Sequence, residues 1–258
     1  MTKVIAVTNQ KGGVGKTTTA TALATGLKRE GYNTLLMDLD PQCNSTDTFR
    51  AIVHNVATMY DVLVAEDPII EAVQHTDIGD IVAGDPLLAD AEQKMSHQGR
   101  EYRLKEAMEG LPEGYDFIII DTPPNLGVLL TNALTAANSC IIPITSERFS
   151  FQGLGELDKT IARVRKYSNP NLEIDGLLMI KTDPRRNLAK EAKKELPAIC
   201  ESLGTVLFET HIREAEDVRK AQKLRQSIYT WAPNCTAAKD YEAFIDEYLT
   251  KTANKEVC

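Results

Sequence analysis

The chain has 258 residues, of which 43% are hydrophobic and 26% charged, with a formal net charge of −8. This is ordinary for a soluble globular protein large enough for one α/β domain, and no apolar run is long enough to span a bilayer. The five cysteines, at 43, 140, 200, 235 and 258, are odd in number, widely spread and contain no C-x-x-C pair. They read as reduced thiols of a cytoplasmic protein rather than a disulfide framework or a zinc site.

Met1 is followed almost at once by the apolar run 4–7, with no signal-peptide pattern. Strand-like runs are expected at 4–8, 34–37, 78–82, 117–120, 141–144, 177–180 and 205–208. Helical patterns fall between and after them, at 16–30, 100–108, 126–137, 153–166, 188–203, 217–225 and 238–250. Pro197 should kink or split the fifth of these helices. The run 117–120 is apolar without alternation, so it should be a central strand buried on both faces. Alternating strands and helices imply a doubly wound, mostly parallel sheet covered on both faces. With no repeat, low-complexity tract or linker, residues 1–258 read as a single domain.

Lys11-Gly12-Gly13-Val14-Gly15-Lys16-Thr17-Thr18 follows the first expected strand and opens the first expected helix. That context is the one a phosphate-binding loop needs. Backbone N–H groups of the loop would point at phosphate oxygens, Lys16 would supply a point charge, and the Thr17 hydroxyl would ligate Mg²⁺. The strict G-x-x-x-x-G-K-[ST] pattern fails at Gln10, and an extra lysine, Lys11, stands before a double glycine. Asp38 and Asp40 fall near the carboxyl end of the second strand, the edge where open α/β sheets bind ligands. Alternation would send both toward the phosphates, although either could instead cap a helix. Asp121 ends an apolar strand, where a buried carboxylate needs a cation nearby.

The lysine at 11, the segment 36–42 with Asn44-Ser45-Thr46 behind it, and the strand 118–124 together resemble the ParA/MinD family of deviant Walker A ATPases. The segments 142–144 and 153–154 match as well, and Arg185-Arg186-Asn187-Leu188 and Tyr241 are similar to Soj-like ParA sequences of chromosome and plasmid partition. The resemblance covers nearly the whole chain. It implies a P-loop ATPase that uses ATP and Mg²⁺, with residues 11–18 on the nucleotide and Lys11 reaching across a two-fold interface to the partner's phosphates. It further implies that Asp40 positions the attacking water, that Thr17, Asp38 and Asp121 serve the magnesium, and that Arg185 and Arg219 touch DNA. Thr182, Asp183 and the segment after Ile212 correspond to the base-binding edge, but Arg213 stands where many relatives have proline.

For a ParA-type ATPase the resemblance implies an ATP-dependent homodimer, non-specific DNA, a ParB-like centromere-binding partner and a nucleoid-associated cytoplasmic location. The same fold could also act as an ATP-driven switch on a protein partner alone. A membrane-bound relative would need a basic amphipathic tail, whereas residues 241–248 are acidic. An iron–sulfur relative would need bridging cysteines, which are missing. Residues 181–225 hold eleven Lys/Arg against eight Asp/Glu, while residues 61–92 hold nine acids and no Lys or Arg. Any polyanion would therefore meet the C-terminal third, although a charge run of this kind is as often only a solvated face.

Overall fold

The computed structural model describes residues 2–95, 98–146, 149–182 and 187–255. Eight strands form one sheet in the order β3-β4-β2-β5-β1-β6-β7-β8. They are β1 (Lys3–Val7), β2 (Thr34–Asp38), β3 (Val73–Thr76), β4 (Gly79–Val82), β5 (Phe117–Asp121), β6 (Ser139–Ile144), β7 (Glu173–Thr182) and β8 (Leu207–Arg213). All neighbours run parallel except β3 and β4. Around the sheet lie α1 (Lys16–Arg29), α2 (Asn44–Phe49), α3 (Ile69–Ala72), α4 (Ala91–Lys94), α5 (Arg103–Met108), α6 (Val128–Ala136), α7 (Phe149–Tyr167), α8 (Asn187–Leu203), α9 (Glu216–Lys223), α10 (Ile228–Trp231) and α11 (Thr236–Lys255).

The two faces of the sheet carry separate cores because successive strand residues point to opposite sides. Val4, Ala6, Leu35, Met37, Ile118 and Ile120 pack with Leu130 and Leu134 of α6, Leu157 of α7 and Leu196 of α8. Ile5, Val7, Leu36, Ile119 and Ile180 pack on the other face with Leu23 and Leu27 of α1, Ala221 of α9 and Tyr241, Phe244 and Tyr248 of α11. Strand β5 is buried at every position and lies between β2 and β1, the central place that its unbroken apolar run implies.

The structure departs from the sequence expectations in several places. The short antiparallel edge strand β3 and the helix α2 were not anticipated. Strand β8 begins two residues later than expected and runs on to Arg213. Helix α8 passes through Pro197 without a break. The first turn of the helix expected at 100–108 is a separate 3₁₀ segment, Arg100–Tyr102. Strand β2 ends at Asp38, so Asp40 stands beyond it and strand alternation does not orient it.

Strand β7 meets β8 closely at Gly176, where an added Cβ would lie 2.8 and 2.9 Å from atoms of the Phe208 ring. That ring is held edge-on against Phe244, 4.9 Å between centroids. Gly176→Ala should therefore overpack the core and lower stability by about 1–3 kcal/mol. Urea unfolding of the variant checks this, and an unchanged midpoint would mean that the aromatic cluster yields.

Candidate nucleotide-binding site

Strand β1 lies between β5 and β6, and the chain leaves it for β2 on one side and returns to β6 on the other. The carboxyl ends of the strands at such a reversal open a crevice, and the glycine loop fills its floor. Gly13 and Gly15 have φ of 69° and 108°, values that suit glycine. A Cβ on Gly15 would sit 2.5 Å from Ile180 Cδ1, so the loop lies directly against the end of β7. Gly15 also caps α1 without a side-chain hydrogen bond, and no acid stands in the first turn. The free N–H groups of that turn and the positive end of the helix dipole are thus left for an anion.

Asn9, which carried no expected role, braces this loop from below. Its Nδ2 donates to the Pro143 carbonyl at 2.7 Å and its Oδ1 accepts from the Lys11 N–H at 2.8 Å. The side chain is almost fully buried. Lys16 is buried too, and that burial lowers its pKa while Asp121 and Asp40 pull the other way. The lysine thus meets its negative partners within the protein, which makes its burial tolerable.

Asp38 and Asp121 stand opposite each other in the register of β2 and β5, and both are fully buried. Asp38 is well engaged: its Oδ2 accepts from the Thr46 hydroxyl at 2.7 Å and the Thr46 N–H at 2.8 Å, and its Oδ1 from the Asp40 N–H at 3.1 Å. The Thr46 hydroxyl in turn accepts from Gly84 N–H at 2.8 Å. Asp121 Oδ2 accepts from the Ser45 hydroxyl at 2.7 Å, and Thr17 also hydrogen-bonds to its carboxylate. Burial and the neighbouring Asp38 charge push the Asp121 pKa up, and burial does the same for Asp38. Asp40 does not cap a helix; its Oδ1 accepts from the Gln42 N–H at 3.0 Å, closing a local turn before α2. Cys43, in a left-handed conformation at φ 53°, starts α2 instead.

At this edge Asp121 Oδ1 and Thr8 Oγ1 are buried with no hydrogen-bond partner. An unpaired carboxylate oxygen beside a second buried carboxylate fits a cation. The donors nearby, carboxylates and the Thr17 hydroxyl, are hard oxygens of the kind that suit Mg²⁺. Among the described residues no group of three or more His, Cys, Asp or Glu forms a dedicated metal cage. A magnesium held by one carboxylate, one hydroxyl and the phosphates of a nucleotide needs none.

A cleft of about 590 Å³ runs from the loop to the end of β8 and α9. Gly12, Gly13, Gly15, Lys16, Thr17, Thr18 and Asp40 line one end, and Ile180, Ile212, Ala215 and Val218 give the other an apolar wall. Lys11 is not among the described residues lining it, although it is on the same loop. Val14, within the loop, is buried. A wider hollow of about 710 Å³ lies at the opposite edge of the sheet, around Lys3, Asp116 and Asn138, far from the loop.

Arg213 borders the cleft with its guanidinium forked onto Asp240, at 2.6 and 2.9 Å. Arg219 is exposed on α9 and also stands at the cleft's rim. Arg185 and Asp183 lie outside the described residues. The Ser45 and Thr46 contacts lay within a segment noted for resemblance alone; two hydroxyls after paired aspartates are the signal that could have revealed them. Replacing Asn9 by Ala would remove the side-chain partner of the buried Pro143 carbonyl and of the partly buried Lys11 N–H, at a cost of about 1–3 kcal/mol. Chemical unfolding of Asn9→Ala measures this, and a stability equal to wild type would deny Asn9 a bracing role.

The AAA domain family pattern matches residues 2–174. The chromosome partitioning protein ParA of Caulobacter vibrioides is 34% identical over 98% of this chain and 96% of its own length. The sporulation initiation inhibitor protein Soj of Bacillus subtilis is 41% identical over 76% of this chain and 79% of its own. Among solved structures, cobyrinic acid a,c-diamide synthase from Mycobacterium smegmatis with bound ADP and magnesium is 31% identical and superposes with a TM-score of 0.80. That alignment covers 95% of this chain and 93% of the synthase. With the glycine loop, the paired aspartates and this length of shared sequence, the chain belongs to the ParA/MinD family of P-loop ATPases.

Proposed function

We propose that the protein is a ParA-type partition ATPase that dimerises on ATP, binds DNA without sequence preference and hydrolyses ATP when a ParB-like centromere-binding partner engages it. The observation that carries this reading is the division of labour on one loop. Lys16 is buried at the chain's own cleft, beside Asp40 and under the charge of Asp121, whereas Lys11 is half-buried and does not line that cleft. A lysine so placed can serve the phosphates of a second copy, as an arginine finger does in other NTPases. The identity to ParA and Soj across most of the chain supports the partition role.

In this reading the N–H groups of residues 12–18 hold the phosphates, and Thr17 and Asp121 hold Mg²⁺. Magnesium, when bound, supplies positive charge to the phosphate oxygens. Asp38 acts one step back, because its oxygens already fix the start of α2 and the Asp40 turn. That turn sets Asp40 at the cleft, where it orients the attacking water. Among the described residues no helix is long and apolar enough to cross a membrane. A nucleoid-associated place in the cytoplasm follows from the proposed DNA binding.

Light scattering with ATP, with ADP and without nucleotide tests the dimer. Lys16→Ala should lose ATP binding in calorimetry. Lys11→Ala should bind ATP but stay monomeric, and a normal ATP-driven dimer of this variant would reject the crossing role.

DNA binding should appear with ATP, ignore sequence and fall steeply with salt, with a log–log slope of about −0.9 per phosphate neutralised. Arg219→Glu should weaken it and flatten that slope. Because Arg219 also borders the cleft, ATP affinity is read in parallel; an equal loss there would assign Arg219 to the nucleotide. A wild-type dimer that binds no DNA at low salt would favour a switch acting on a protein partner.

A further inference from the structure

The end of β7 touches the phosphate loop at two successive residues. Ile180 fills the space beside Gly15. Lys181 reaches the loop itself, its Nζ donating to the Gly13 carbonyl at 2.5 Å. Lys181 is also one of the few non-glycine residues with positive φ among the described residues, at 51°. Such a conformation strains a lysine, which has no side-chain group able to bond its own backbone as Asn or Asp can. Strain of this kind points to a role for the residue it orients.

The register of β7 against β8 is irregular on either side of Met179, and the second irregularity includes Lys181. Met179 pairs with His211 and Thr182 with Arg213, so β7 advances three residues where β8 advances two. One extra residue is inserted, and the irregularity falls at 180–181. A bulge re-aims a side chain that regular alternation would send elsewhere. Here the re-aimed side chain is Lys181, which lines the cleft and ends on the loop.

We propose that Lys181 is a positioning residue of the nucleotide site: its ammonium anchors the Gly13 carbonyl and so orients the peptide that presents the Val14 N–H to the phosphates. In a trans peptide the carbonyl and the next N–H point in opposite directions. Tying the Gly13 oxygen toward β7 therefore turns the Val14 N–H away from β7. Without the anchor, Gly13 places few steric limits on the rotation of that peptide at its amino-terminal flank, since glycine has no Cβ. The ammonium also adds a positive charge at the cleft wall. The pair is solvent-exposed, so it adds little to folding, and its effect falls on nucleotide binding.

This inference rests on the nucleotide-binding reading above, and calorimetry of the wild-type protein with ATP and ADP tests that reading first. A wild-type protein that binds neither would end it there. Given wild-type binding, Lys181→Met should raise the Kd for both nucleotides about tenfold, the equivalent of one hydrogen bond to a charged group. Lys181→Arg, again a cationic donor, should recover most of the loss. Lys181→Gly separates positioning from general stability. It relieves the left-handed strain, so its melting temperature without nucleotide should match or exceed wild type, yet its nucleotide affinity should fall as in Lys181→Met. Wild-type affinity in both Lys181→Met and Lys181→Gly would overturn the proposal. So would a loss of affinity that tracks a loss of melting temperature across the three variants.

Discussion

Asp38 and Asp121 end adjacent parallel strands in register, which places their backbones about 4.8 Å apart. Two carboxylates at that spacing, both fully buried, cannot both stay ionised without positive charge close by. The surrounding structure supplies it in graded form. Thr46 and the Asp40 N–H spread the Asp38 charge over hydrogen bonds. Ser45 does the same for one oxygen of Asp121. The other oxygen is left without a hydrogen-bond partner, and the Asp121 carboxylate interacts with the buried Lys16 ammonium. A protein core tolerates an arrangement like this when a mobile cation completes it, and such a cation commonly arrives with phosphates. The need to balance this pair explains the position of α2, whose first turn is occupied by the two hydroxyls that serve the carboxylates.

The loop is set by neighbours on both sides. From below, Asn9 fixes its entry to β6 through the Pro143 carbonyl. From the side, the end of β7 closes against Gly15 and Gly13. The curl of the backbone is thus held by three parallel strands rather than by the glycines alone, whose freedom would otherwise carry an entropic cost on binding.

The fold and the phosphate loop were legible in the sequence because they rest on local patterns. Unbroken apolar runs mark central strands, and a strand, glycine loop and helix in succession mark an anion site. What escaped depended on partners distant in the chain. Strand β3 reads Val-Gln-His-Thr, with no buried position, and is held mainly by its pairing with β4. Helix α2 lacks an apolar stripe and begins at a left-handed Cys43, where no capping residue announces it. Three of its four buried residues, Ser45, Thr46 and Thr48, are polar and only Phe49 is apolar, so a hydrophobic pattern could not find it. The bulge in β7 leaves no composition signal, since any residue can be the extra one. Arg213 shows its partner only in three dimensions: Asp240, twenty-seven positions on, takes both its side chain and its backbone N–H.

Helix α9 sits where the cleft and the basic surface meet. Its inner side reaches α1, where the Gln222 amide donates to the Thr18 hydroxyl at 2.8 Å, one residue from the hydroxyl proposed for magnesium. Just past its end, the Arg225 carbonyl accepts from Arg50 at 3.0 Å and the Arg225 guanidinium pairs with Asp47 of α2 at 3.2 Å. These ties are exposed and individually weak, but they join α9 to the two helices that frame the phosphates. Arg219, at the cleft's rim, and Lys220 and Lys223 are exposed on the same helix, with Lys220 partly engaged by Glu216 at 3.4 Å. Few cations on one copy give little hold on a polyanion, whereas two copies brought together double them and raise the effective concentration of each for the same strand. In the proposed function, the affinity of such a surface would depend on assembly, and assembly on what occupies the cleft. On that proposal, the modest basic patch of an acidic chain would suit binding that can be released better than a permanent hold.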